Sequence, residues 1–193
     1  MKISAILLAA GSGTRFGGNK LLAPYQGKPL FEHTLQKVLT VPFYQVILVT
    51  QYPELAARVE GYPVETVMNP DPTRGISSSI HLGLTRGRPC DGMMFFVCDQ
   101  PHLRMETIQG MLASFQENPH CILSAAYGDR RGNPVIFPTA FYDDLLQLEG
   151  DHGGSFVIQK RELDVRYFPV THPEELFDID LRADLSKFME EKP

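Results

Sequence analysis

Short, almost wholly apolar runs alternate along the chain with segments whose apolar residues recur at helical spacing. Residues 3–8 form the first such run, and residues 45–50 (QVILVT) form a second, β-branched and bounded by breakers. Each predicts a buried strand. Residues 29–39 place Leu30, Phe31, Leu35, Val38 and Leu39 on one side of a helix. Weaker patterns predict a helix at 54–59 and a strand at 64–67. A further helix is expected over 76–84, capped by Ser77, Ser78 or Ser79, with Ile80 and Leu84 a turn apart. A strand at 93–98, a helix at 106–115 and strands at 121–126 and 134–137 around the 128–132 turn complete the pattern. This rhythm predicts an α/β fold: a three-layer, Rossmann-like, mostly parallel sheet with helices on both faces, in one domain over residues 1–193. Residues 190–193 are expected to fray.

Composition narrows the classes. With 43% hydrophobic and 21% charged residues, the chain has the makeup of a folded soluble protein with a substantial core. A net charge of −5 argues against a nucleic-acid or membrane-surface binder, which needs a basic face. No apolar stretch reaches the roughly 18 residues of a transmembrane helix. The start, Met1-Lys2-Ile3-Ser4, enters a strand and does not read as a cleavable signal. Cys90, Cys98 and Cys121 are odd in number and scattered, as expected of reduced thiols in a cytoplasmic protein.

The candidate chemistry starts where the first strand ends. Gly11, Gly13, Gly17 and Gly18 follow it, with Arg15 and Lys20 among and just after them. Backbone N–H groups in such a loop can cradle an anion, and the two cations add charge. A P-loop is excluded, because Asn19 precedes Lys20 and Leu21 follows it, leaving no hydroxyl for a metal ion. A dinucleotide fingerprint is weak, since the second strand ends in Thr50-Gln51 without an acid for the ribose. Ligands of such sheets sit beyond the carboxyl ends of the strands, and the 93–98 strand delivers Asp99-Gln100-Pro101 to that rim. Asp99 would either hold a metal ion or cap the following helix. Mg²⁺ is usually shared between one or two carboxylates and substrate phosphates. The second acid is expected from Phe177-Asp178-Ile179-Asp180, where strand alternation would put Asp178 and Asp180 on one face. An acidic edge turn is the other reading of that segment.

Several blocks in order, AAGSGTRFGGNK, RGISSSI, CDQP, GNPVI, LEGDHGG and DIDLRADL, resemble the nucleotidyltransferases that activate a phosphate or sugar phosphate with a nucleoside triphosphate. Within them the chain is most similar to the molybdenum cofactor cytidylyltransferases and guanylyltransferases, a MobA-like group with a nucleotide-diphospho-sugar-transferase fold. The resemblance implies Arg15, Lys20 and Asp99 as catalytic residues, and Ala9, Ala10, Gly11, Ser12, Gly13, Arg15, Lys20, Gly75 and Ser79 as nucleotide-binding. It implies Asp99 and Asp180 as ligands of Mg²⁺ (or Mn²⁺) with Asp178 in support, and Gln100, Pro101, Asn133, Pro134 and Asp151 on the acceptor side. The expected reaction is transfer of CMP from CTP to the terminal phosphate of molybdopterin cofactor, releasing pyrophosphate. Ala9-Ala10-Gly11 favours CTP over GTP. A sugar phosphate or isoprenoid phosphate is the other acceptor class, a molybdenum hydroxylase the protein that would receive the product, and neither nucleic acid nor membrane is a partner. A regulatory nucleotide-binding module and an NAD(P)-binding oxidoreductase are the competing classes.

The chain departs from the family pattern at three places. Cys98 stands for a glycine, Leu181-Arg182-Ala183 for a Thr-Pro pair, and Ser155 and Phe156 where an arginine is expected. Arg130, Arg131, Lys160 and Arg161 are the cations available to replace that arginine.

Overall fold

The computed structural model describes residues 1–187; the expectation for 190–193 falls outside them. A seven-stranded sheet runs in the order β5-β4-β1-β6-β8-β7-β9. Its strands are β1 (Ile3–Ala9), β4 (Gln45–Thr50), β5 (Glu65–Met68), β6 (Gly92–Val97), β7 (Ile122–Tyr127), β8 (Arg130–Pro138) and β9 (Val165–Pro169). Two-residue strands β2 (Pro24–Tyr25) and β3 (Lys28–Pro29) form a separate hairpin. β1 pairs in parallel with β4 and β6, β4 with β5, and β7 with β9. Only β8 runs against its neighbours, β6 and β7. The sheet is therefore mostly parallel, as the sequence pattern predicts.

Both faces are covered, which is why the central strands are apolar throughout. Ile3, Ala5, Leu7 and Ala9 of β1 face one core, with Phe31, Leu35 and Val38 of α1 (Leu30–Thr40), Leu55 of α2 (Pro53–Arg58) and Ile108, Met111 and Phe115 of α4 (Met105–Glu117). Ile6 points the other way, to Ile80 and Leu84 of α3 (Ile76–Arg86), Leu145 of α5 (Tyr142–Leu146) and Val157 of α6 (Gly154–Lys160). A third, small cluster of Phe16, Tyr25, Leu30 and Ile179 ties the glycine loop to the C-terminal segment. That segment ends in α7 (Asp184–Lys187).

Three local expectations need correction. Residues 177–180 form no strand. They lie along the sheet rim, where the Ile179 amide donates to the Asp99 carbonyl at 3.0 Å and the Ile179 side chain is buried, so the two flanking aspartates find different partners. The serines do not cap α3: its first residue follows Gly75, and Ser78 Oγ donates back to the Gly75 carbonyl at 2.8 Å. Asn69 Nδ2 donates to Ser78 Oγ at 2.9 Å and to Ser79 Oγ at 3.0 Å, which fixes both hydroxyls. Pro134 lies inside β8, not at a strand start, because the β7–β8 ladder slips between Ser124 and Ala125 and needs no amide donor there.

Candidate functional site

The glycine loop is a closed turn. Gly13, Gly17 and Gly18 all have positive φ, and the Gly17 and Gly18 amides fold back onto the Gly13 carbonyl. A Cβ on Gly13 would stand 2.2 Å from the Gly18 carbonyl oxygen, so glycine is required there by the loop itself. The end of β4 pins the loop's base. Thr50 Oγ1 donates to the Ala9 carbonyl (3.0 Å), Gln51 Nε2 to the Ala10 carbonyl (2.7 Å) and the Tyr52 hydroxyl to the Gly11 carbonyl (2.7 Å). Arg182 Nε donates to the Phe16 carbonyl at 3.3 Å while its guanidinium stacks on the Phe16 ring. Gln51, Tyr52 and Arg182 were not singled out from sequence. The rule that strand ends build the site could have found the first two.

Lys20 is the hub. Its Nζ lies 2.7 Å from Asp99 Oδ2 and 2.9 Å from Asp180 Oδ1, and Arg15 Nη1 lies 3.1 Å from Asp180 Oδ2. Two acids far apart in sequence thus meet on one ammonium. Burial works to lower the Lys20 pKa, but the charge of Asp99, its hydrogen bond and those of Asp180 outweigh it and hold the ammonium above its usual range. Asp99 caps no helix, since α4 begins six residues later and its first turn is bonded by Glu175 Oε2, which accepts from the Arg104 amide and Thr107 Oγ1. Asp99 Oδ1 is buried with no hydrogen-bond partner. Asp178 turns aside to accept from Gln100 Nε2 at 2.8 Å. Burial, then the charge of Asp99, raises its pKa.

These groups open onto a cavity of about 340 Å³. Its walls include Ala10, Gly11, Ser12, Gly13, Arg15, Lys20, Gly75, Ser79, Asp99, Asp151 and Asp180. Buried Cys98 also lines it, its thiol pushed far up by burial and by Asp99, so it stays protonated and unreactive. Gly75 serves packing here: a Cβ at its φ of +79° would stand 2.3 Å from the Gly150 carbonyl, and the Ser77 amide donates to that same oxygen. A second cavity of about 380 Å³ adjoins the first across Leu8, Ile76 and Val97. Phe95, Phe137, Val135, Leu145 and Ile158 make it largely apolar, with Asn133 on its wall. Gln100 and Pro101 line neither cavity; both are buried, and the Pro101 carbonyl accepts from Lys37 Nζ at 2.6 Å. Pro134 and Asp178 line neither as well.

Residues 5–165 match the model of the MobA-like NTP transferase domain. The chain belongs to that family. As a member it is a nucleotidyltransferase, with its glycine loop at the end of β1. It is 29% identical to "Nicotine blue oxidoreductase" of Paenarthrobacter nicotinovorans over 170 residues, 82% of each chain. It is 25% identical to "Probable molybdenum cofactor guanylyltransferase" of Thermococcus gammatolerans, over 94% of this chain and 96% of that one. Among solved structures it is similar to Rv0371c of Mycobacterium tuberculosis H37Rv, with a TM-score of 0.83 and 25% identity over 98% of both chains. The manganese complex of that protein superposes with a TM-score of 0.71 and 26% identity, over 88% of this chain and 89% of that one.

Proposed function

We propose that this nucleotidyltransferase moves CMP from CTP to the terminal phosphate of molybdopterin cofactor. The observation that carries nucleotidyl transfer is the Asp99–Lys20–Asp180 bridge on the wall of a glycine-lined cavity. The donor set suits Mg²⁺ or Mn²⁺: two carboxylates already gather a cation between them, and the buried Asp99 oxygen lacks a partner. Among the described residues no three metal-ligating side chains cluster, so the remaining positions fall to water and substrate phosphates. A bound divalent ion would polarise the α-phosphate and neutralise its charge.

The protein's own contribution is placement and charge. The loop amides, Arg15 and Lys20 hold the β- and γ-phosphates. Displaced from the aspartates, Lys20 turns its positive charge to the triphosphate. An oxygen of the acceptor phosphate attacks the α-phosphorus, the bond to the bridging oxygen breaks, and pyrophosphate departs with the negative charge those cations stabilise.

CTP is favoured by Ala10, buried on the wall of the cavity where its methyl narrows the space for a base. Ser79 Oγ, already accepting from Asn69, keeps its proton to offer the base or sugar. GTP is the second reading, because full-length relatives carry the name guanylyltransferase. Thermal shift with each triphosphate and Mg²⁺ separates them: stabilisation by CTP supports the assignment, and stabilisation by GTP alone reverses it. Pyrophosphate release with purified molybdenum cofactor against sugar and isoprenoid phosphates tests the acceptor. NADPH binding without any divalent ion would instead move the protein to the chemistry named for its Paenarthrobacter relative. No helix among the described residues is long and apolar enough to cross a membrane.

A further inference from the structure

The apolar cavity has walls for a ring-sized body, yet an acceptor that reacts through a phosphate brings negative charge with it. Four cations lie near enough in sequence to meet that charge, and the structure sorts them. Lys160 and Arg161 are both committed to Asp144, each at 2.9 Å, and that carboxylate is buried beneath them. Arg130 Nη2 donates to the Leu176 carbonyl at 2.6 Å, and its guanidinium stacks over Phe177. Arg131 alone of the four lines the cavity. Its partners are an exposed glutamate, Glu162, at 3.5 Å and the ring of Tyr167, with the guanidinium 4.9 Å from the centroid. An exposed pair of that length contributes little and yields readily to a better anion.

The strand register sets where this cation stands. β8 runs antiparallel to β6 with Phe95 opposite Val135, so residues before Asn133, Arg131 among them, extend past Val97 at the carboxyl end of β6, to the rim that carries Asp99. The slip in the β7–β8 ladder at Ser124 falls opposite this stretch, and Ser124 Oγ fastens the Gly132 carbonyl at 3.0 Å. Arg131 is thereby held on the wall of the apolar cavity, beyond the end of β6. Its ring stack with Tyr167 keeps the planar guanidinium extended, with donors to spare for a bidentate oxyanion.

We propose that Arg131 is the anion-binding residue of the acceptor cavity, and that the acceptor is a ring-sized apolar body bearing a phosphate which Arg131 holds. This rests on the nucleotidyl-transfer reading. Arg131→Met should raise KM for purified molybdenum cofactor about tenfold, the scale of one lost charged hydrogen-bond pair, and leave KM for CTP unchanged. Arg131→Lys should recover part of the loss. Glu162→Gln, which removes the competing carboxylate, should lower the acceptor KM. A second measurement needs no turnover: inorganic phosphate is titrated into CTP-saturated protein and followed through the arginine Nε–H resonances. The Arg131 signal should shift with phosphate, with weaker binding in Arg131→Met and tighter binding in Glu162→Gln. Phosphate binding that is the same in wild type and Arg131→Met overturns the inference. So does an acceptor KM that does not move. Phosphate binding that depends on Arg131, with no transfer to the molybdenum cofactor, keeps the site and rejects only that acceptor.

Discussion

The two cavities of the cleft share Leu8, Ile76 and Val97 as a wall but are built on opposite principles. On the side proposed for the nucleotide both cations are already paired: Lys20 takes Asp99 and Asp180, and Arg15 takes Asp180. On the side proposed for the acceptor the walls are mainly aromatic and aliphatic, and the lining cation Arg131 is loosely paired. The first cavity is thus preorganised as an electrostatic assembly, in which a ligand would exchange one set of ion pairs for another. The second cavity is preorganised by shape. Discrimination among triphosphates should therefore respond to charge and metal, and discrimination among acceptors to volume.

The largest expected break in that contrast is at Asp99. Asp99→Asn keeps the shape of the side chain but removes half of the charge that gathers on Lys20. Turnover should fall by about 10³-fold or more, the scale of losing charge stabilisation in the transition state. Mn²⁺ binding in the presence of CTP, followed by electron paramagnetic resonance, should be lost in parallel while the melting temperature stays within a few degrees. Full activity with Asp99→Asn would remove the metal from the scheme. Lys20→Met separates the two functions of that residue. Without nucleotide it should bind Mn²⁺ more tightly than wild type, because the resident cation is gone, and yet turn over slowly. Tighter binding in the wild type would mean that the ammonium does not hold the ion's place.

Next in size is Gly75, the joint between the two sides. Its backbone touches the Gly150–Asp151 turn, whose Asp151 lines the first cavity and whose neighbours Gly153 and Gly154 line the second. Gly75→Ala introduces a side chain at φ +79° directly against the Gly150 carbonyl. Left-handed strain and overpacking together should cost about 3 kcal/mol in urea unfolding. KM for both substrates should rise, whereas a change in only one of them would show that the cavities are held independently.

How much of this was legible in the residues differs between the halves of the sheet. The strands over residues 3–9, 45–50 and 92–97 are buried on both faces, so continuous apolar runs announced them within a residue or so. β9 escaped notice because it is an edge strand with Arg166, Tyr167 and Pro169 exposed, a pattern that carries neither a buried run nor clean alternation. The site followed the same division. Lys20, Asp99 and Asp180 are charged residues beside glycine turns or strand ends, and their chemistry demands a partner. Gln100 sits between two of them in function as well as in sequence, yet its amide braces Asp178 and lines neither cavity. Residue type alone cannot tell a ligand contact from a brace. Gly75 shows the same limit: its positive φ was foreseeable, but that it faces a backbone turn depends on a contact 75 residues away in sequence.

The smallest expected effect concerns Lys37, which supports the rim from behind by donating to the Pro101 carbonyl at 2.6 Å. Burial, and then the charge of Lys28, lowers its pKa to about 8, with Glu175 pulling the other way. The unfolded chain holds this proton up to the ordinary value of 10.5, so between about pH 8 and 10.5 it binds more protons than the native protein. Stability from this group must therefore rise with pH across that window, and the cost of burying the charge is felt in full below pH 8. Shifts of this kind, discounted for the partial exposure of the side chain, amount to about 2 kcal/mol. Lys37→Met keeps the apolar stem and deletes the charge. Urea unfolding at pH 7, 8, 9 and 10 should show the variant gaining on wild type at the low end and losing that advantage as pH rises. Ionisation of tyrosines such as Tyr25 and Tyr142, whose pKa values burial raises, affects both proteins alike and cancels in the difference. A difference that is flat with pH would mean the Lys37 ammonium is solvated in the native protein.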